Sequence, residues 1–171
     1  MRMTMRSLLL AGCICAVGLP VCRAQAAACP STNTIPDLVK ALDDAVSGPA
    51  NKDRACLRAL LTPDARLIPL AKSPDGKWAP HVLTVDDWIS RVAKRGSDTF
   101  FEHQIKYSEE TYGQMAQLWS TYEIRETPDG KPTARGINAI QAVNDGSGWK
   151  VVQILWKAES PSEPIPAKDL P

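Results

Sequence analysis

Histidine is scarce in this chain, and the chemistry it serves is missing with it. His81 and His103 are the only two. Neither stands at metal-ligand spacing from a cysteine, so no metal site is expected. No G-x-S-x-G, H-E-x-x-H or G-x-G-x-x-G motif occurs. That removes the nucleophile elbow, the zinc-protease helix and the dinucleotide turn. No cofactor is expected, and no catalytic set can be named. There is also no basic stripe, so a nucleic-acid partner is not expected. No apolar run reaches the roughly 20 residues of a settled membrane span.

The first residues carry the strongest signal. Arg2 and Arg6 precede a charge-free run, LLLAGCICAVGLPV, at 8–21, and Ala24 and Ala26 take the small-residue positions of a cleavage site. Residues 1–26 read as a cleaved signal peptide, which places the mature chain in the periplasm or outside the cell, with no membrane contact after cleavage. The alternative is a lipoprotein, because Leu10, Ala11 and Gly12 precede Cys13 as a lipid-attachment quartet does. Cleavage removes Arg2, Arg6 and Arg23, and the formal charge moves from +1 to −2.

Cleavage also removes Cys13, Cys15 and Cys22, so Cys29 and Cys56 remain. In an oxidising compartment the only intramolecular pairing is with each other, and a Cys29–Cys56 disulfide is expected. The alternative is a buried free Cys56 with a loose Cys29.

The remainder is the size of one domain. Apolar residues Ile35, Leu38, Val39, Leu42 and Val46 recur at helical spacing, with Thr34 as a cap and Pro36 in the first turn. A short second helix follows Asn51, and a short strand covers 66–70. The third helix spans 84–95, with Thr84 and Asp87 in capping-box spacing. Beyond residue 100 the period becomes 2, and strands are expected at 101–107, 114–126, 133–143 and 149–158. Both later connections, TPDGKP and NDGSG, have hairpin turn chemistry. Residues 160–171 hold four prolines and read as a flexible Pro-rich tail.

This order of elements resembles the nuclear-transport-factor-2-like superfamily, which includes ketosteroid isomerases and SnoaL-like cyclases. The resemblance is carried by LRALLTPDARLIP (57–69), TVDDWISRV (84–92), GQMAQLWSTYEIRE (113–126), ARGINAIQAV (134–143) and GWKVVQILWKAE (148–159). It implies an α+β domain over 27–159, with three N-terminal helices packed on a strongly curved, mostly antiparallel, cone-shaped sheet. It also implies a pocket at the open end and a homodimer. The acid that ketosteroid isomerases place on the strand after the second helix would fall at about Pro69, which cannot titrate. Their first-helix tyrosine has no match among Leu38, Val39 and Leu42.

The remaining candidates lie on strands. Glu123 and Arg125 share a face with Trp119; Tyr122 belongs to the other. Arg135 lies near Glu123, and the two either orient a polar ligand or form an ordinary cross-strand ion pair. Asn138 stands mid-strand among apolar residues, lining a pocket or bonding across the sheet. His103 and Glu102, being adjacent on a strand, point to opposite faces and do not form an acid–base pair. The five tryptophans, Trp78, Trp88, Trp119, Trp149 and Trp156, either line a pocket or make the core and a dimer contact. Two functions stay open. One is a non-catalytic binding or interaction module for a small apolar ligand. The other is a SnoaL-like enzyme of proton transfer or hydration.

Overall fold

The computed structural model describes residues 28–171. The expected signal peptide, its cleavage site and Cys13 lie outside these residues.

Helix α1 (Ile35–Val46) begins at Thr34, whose hydroxyl accepts from the Asp37 amide while the Asp37 carboxylate accepts from the Thr34 amide. Each satisfies one of the donors that a helix start leaves unpaired. Its buried stripe is Ile35, Leu38, Val39, Ala41, Leu42 and Ala45. The two-residue strand β1 (Gly48–Pro49) follows at once. Helix α2 (Ala55–Leu60) starts later than the Asn51 cap would set it, because the amides of Ala50 and Asn51 bond to the carbonyls of Asp98 and Gly96. The chain then runs into β2 (Leu61–Lys72), much longer than the 66–70 segment expected, and turns back through Ser73 and Gly76 to β3 (Trp78–Pro80). Helix α3 (Val85–Ala93) has the capping box of Thr84 and Asp87. Four strands complete the sheet: β4 (Thr99–Tyr112), β5 (Met115–Arg125), β6 (Ala134–Asn144) and β7 (Trp149–Ala158).

The strand order is β1-β4-β5-β6-β7-β2-β3. Strands β5 to β7 form the antiparallel meander that their two hairpin turns predict, and β4 joins it by a further antiparallel pairing with β5. The sheet itself corrects the cone: it is a mixed seven-stranded sheet, neither closed nor strongly curled. One reason lies in its edges, since β1 and β3 end the order, are two and three residues long, and do not meet. Another lies in β2, which joins parallel to β7, with Leu67 beside Ile154 and Pro69 beside Trp156. A hairpin meander alone cannot supply such a pair.

The helices lie on one sheet face and bury Leu38 and Leu57 against Leu118, Ile140 and Val151. Cys29 and Cys56 form a disulfide, with Cα atoms 5.3 Å apart. It holds the segment before α1 beside β7, where Trp149 donates its amide to the Thr32 carbonyl at 2.8 Å.

Residues 160–171, expected as a loose extension, lie along the other sheet face. Ile165 is 8% exposed. Its amide donates to the Glu159 carboxylate, Thr121 donates its hydroxyl to the Asp169 carbonyl at 2.6 Å, and Lys106 reaches the Leu170 carbonyl. Prolines that cannot extend the sheet still supply an extended strap with few conformations to lose.

Candidate functional site

On the helix side of the sheet, α3 does not close completely over β4 to β7. A cavity of about 260 Å³ remains, walled by Trp88 and Val92 of α3, Phe100 of β4, and Ile154 and Trp156 of β7. Its polar groups come from the inward-facing alternation of the strands: Glu102, Tyr122 and Asn138. Register explains the grouping. Glu102 pairs with Ile124 and Gln104 with Tyr122 across β4 and β5, and Ser120 pairs with Asn138 across β5 and β6. Tyr122 and Asn138 are almost fully buried, at 4% and 6% exposure. The Tyr122 ring can lie there because residue 136 is glycine. A Cβ on Gly136 would come within 2.4 Å of the Tyr122 hydroxyl and of the Lys157 carbonyl.

Glu102 is held from two sides. Its Oε1 accepts from Asn138 Nδ2 at 3.3 Å and from Gln104 Nε2 at 3.1 Å. Gln104 in turn accepts from the Ser120 hydroxyl. The carboxyl is pushed up to about 7, first by burial and then by the negative charge of Asp43. Asp43, on α1, accepts from the Gln104 amide at 3.0 Å, and burial lifts its own carboxyl to about 6. Burial also raises the Tyr122 hydroxyl well above its ordinary value. These are the directions expected for acids whose ionised forms lose water.

Arg54 stands behind the wall. It is buried, and Nη1 donates to the carbonyls of Ala45 and Val46 at 2.8 Å each. It thereby satisfies the end of α1, where the last carbonyls lack helical partners. Its guanidinium lies 5.4 Å from the Trp88 ring and 5.6 Å from the Phe100 ring. Arg95, exposed just beyond α3, lies 5.2 Å from the Phe100 ring and lines the cavity.

The residues singled out from sequence divide between the two faces. Tyr122 and Asn138 come together in the cavity. Trp119, Glu123, Arg125, Arg135 and His103 alternate onto the opposite face. Glu123 and Arg135 are indeed directly opposite in register. Yet Glu123 pairs with Arg125 on its own strand, and Arg135 pairs with Glu159 at 2.9 Å. His103 is opposite Glu123 in the ladder. Trp119 is 50% exposed beside the strap. Glu102, Gln104, Asp43, Arg54, Arg95 and Phe100 are the members that sequence reasoning missed. Strand alternation from Phe100 through Glu102 to Gln104 carries the signal for part of this set.

Among the described residues, no group of three or more His, Cys, Asp or Glu side chains is placed to hold a metal ion. None of their helices is long and apolar enough to cross a membrane.

No protein-family profile matches the chain, and no curated protein matches it. Solved structures do. A protein of unknown function with a cystatin-like fold from Nostoc punctiforme aligns at 12% identity and TM-score 0.55, over 78% of this chain and 98% of its own. A Kribbella flavida protein aligns at 14% identity and TM-score 0.53, over 74% and 88%. A nuclear-transport-factor-2-like protein of unknown function from Shewanella baltica aligns at 11% identity and TM-score 0.52, over 74% and 91%. At such identities the likeness is one of fold, and the fold of this chain is that of the nuclear-transport-factor-2-like, cystatin-like group.

Proposed function

We propose that this chain is an exported binding module whose pocket takes a small, mostly apolar molecule bearing one hydrogen-bonding group. The observation that carries this reading is the cavity itself: an apolar, tryptophan-walled space whose polar groups, Glu102, Tyr122 and Asn138, converge at its buried end. Such a mixture of apolar lining and a few fixed polar groups is the usual form of a small-molecule site. The test is fluorescence titration with 2-naphthol. Saturable one-to-one binding is expected, and its loss in Val92→Trp, which fills the cavity, with circular dichroism checking that the variant folds. Absence of saturation in the parent protein overturns the reading.

Glu102 supports a second reading, proton transfer on a bound carbon acid. A carboxyl held near neutrality is matched to that task. Deuterium exchange into 2-tetralone tests it. Exchange above the buffer rate, abolished in Glu102→Gln, is the expected result, and exchange at the buffer rate ends the idea.

We further propose a homodimer through the sheet face opposite the helices. The strap covers part of that face and leaves Met115 and Trp119 at 61% and 50% exposure on outward positions of β5, with Gln117 between them. Apolar surface of this kind is costly in water. Light scattering at micromolar concentration should give twice the chain mass, and Trp119→Glu should give a monomer. A monomeric parent protein contradicts the proposal.

A further inference from the structure

The two ends of the cavity differ in charge, and the difference selects a ligand. At the buried end, both amide donors that reach Glu102 go to the same oxygen, Oε1. Oε2 receives no protein hydrogen bond among the described residues. It is not among their fully buried orphan atoms either, which are Asp43 Oδ1 and Arg54 Nε. Glu102 lines the cavity, so Oε2 is its free polar atom there. A carboxyl oxygen in that position meets a hydroxyl or carbonyl, donating when protonated and accepting when not.

The exposed end is cationic. Arg95 makes no ion pair or side-chain hydrogen bond among the described residues. The bonds of Arg54, on the same Phe100 wall, all go to backbone carbonyls. Two guanidiniums therefore lie within 5.6 Å of one ring with no carboxylate paired to either. A cationic ligand is repelled from that wall, and an anion at the entrance is attracted. Arg95 can also receive a carboxylate in planar, two-point fashion.

We propose that the pocket selects an amphiphilic organic acid. Its ring-sized apolar body lies between Trp88, Phe100 and Trp156. Its anionic group meets Arg95 at the entrance, and a hydroxyl or carbonyl at its far end meets Oε2 of Glu102. This rests on the pocket-binding reading above and adds the chemical class.

Three naphthalenes separate the two claims: 6-hydroxy-2-naphthoate, its primary amide, and 2-naphthoate, each titrated calorimetrically against the whole protein. The hydroxy acid should bind about fivefold tighter than its amide, the scale of an exposed ion pair. Higher ionic strength should narrow that gap. Arg95→Gln changes an exposed side chain and should bring the acid down to the affinity of the amide. The hydroxy acid should also bind about fivefold tighter than 2-naphthoate, for one hydrogen bond. Equal affinity of acid and amide, or a preference that survives Arg95→Gln, overturns the proposal while the pocket reading stands. Equal affinity of the two acids overturns the contact with Glu102. Failure of all three compounds and of 2-naphthol ends both.

Discussion

Glu102 stands where the fold is least comfortable with charge. Its carboxyl moves from an ordinary 4.5 to about 7. The folded state therefore holds this proton more tightly than the unfolded chain does. Folding stability then falls as pH rises from about 4.5 to 7, and the loss is complete above that window. Asp43, raised to about 6, adds a slope of the same sign from about 4 upward. Carboxyls held low by hydrogen bonds work the other way: Asp145, at about 2, and Asp75, Asp87 and Glu159 favour the fold until acid reaches them. Mildly acidic solution should therefore be the most stabilising. Glu102→Gln keeps an oxygen for Asn138 and Gln104 but removes the charge. It should leave the melting temperature nearly unchanged at pH 5 and raise it by several degrees at pH 8, up to roughly 3 kcal/mol. A variant less stable than the parent at pH 8 contradicts this assignment. The sequence let the opposite faces of Glu102 and His103 be read correctly, but not which of the two faces inward. The alternation puts Glu102 on one face with Phe100 and Gln104, but which face the helices cover depends on where α3 and β1 place Phe100.

Helices, hairpin turns and the long strands were legible because each has a local cause. Thr34 as a cap, and Thr84 with Asp87 in capping-box spacing, mark where their helices begin. The two later turns carry their own chemistry. What could not be read was decided mostly at a distance: β2 is extended at its start by β7 and at its end by β3, and the place of the tail comes from Thr121 and Glu159. Two elements can be tested. Cys29→Ser opens a crosslink spanning 27 residues and should cost about 3.5 kcal/mol in denaturant unfolding. A change below about 1 kcal/mol would mean the unfolded chain gains little freedom. Removing residues 160–171 uncovers the surface around Ile165 and should cost about 2 kcal/mol, the worth of one buried aliphatic side chain with its neighbours. Tryptophan fluorescence should shift as Trp119 gains water. An unchanged melting temperature and spectrum would show that the strap does not hold in solution.

For the molecule as a whole, the export proposal makes the most direct prediction. The mass of the exported chain should correspond to a start at Ala27 and be lower by two hydrogens for the disulfide. A chain starting at Met1, or one carrying lipid on Cys13, contradicts it. The fold group was legible because five separate segments agreed with one order of elements. The cone was not, because curvature belongs to the sheet as a unit and was inferred from resemblance alone.

The parallel seam between β2 and β7 also sets an order of events. Leu61 lies beside Val151, with α3 and four strands, β3 to β6, between them in the chain. Leu38 and Leu57 share a core cluster with Val151 and lack that neighbour until β7 is made. On the ribosome, every earlier segment emerges before the strand that closes its core. Pairings this distant are slow to form and leave apolar surface waiting. A nascent chain ending at residue 148 should therefore stay fully open to protease. Such a chain is still thread rather than globule for nearly its whole synthesis, the state in which a polypeptide passes most readily through a narrow pore.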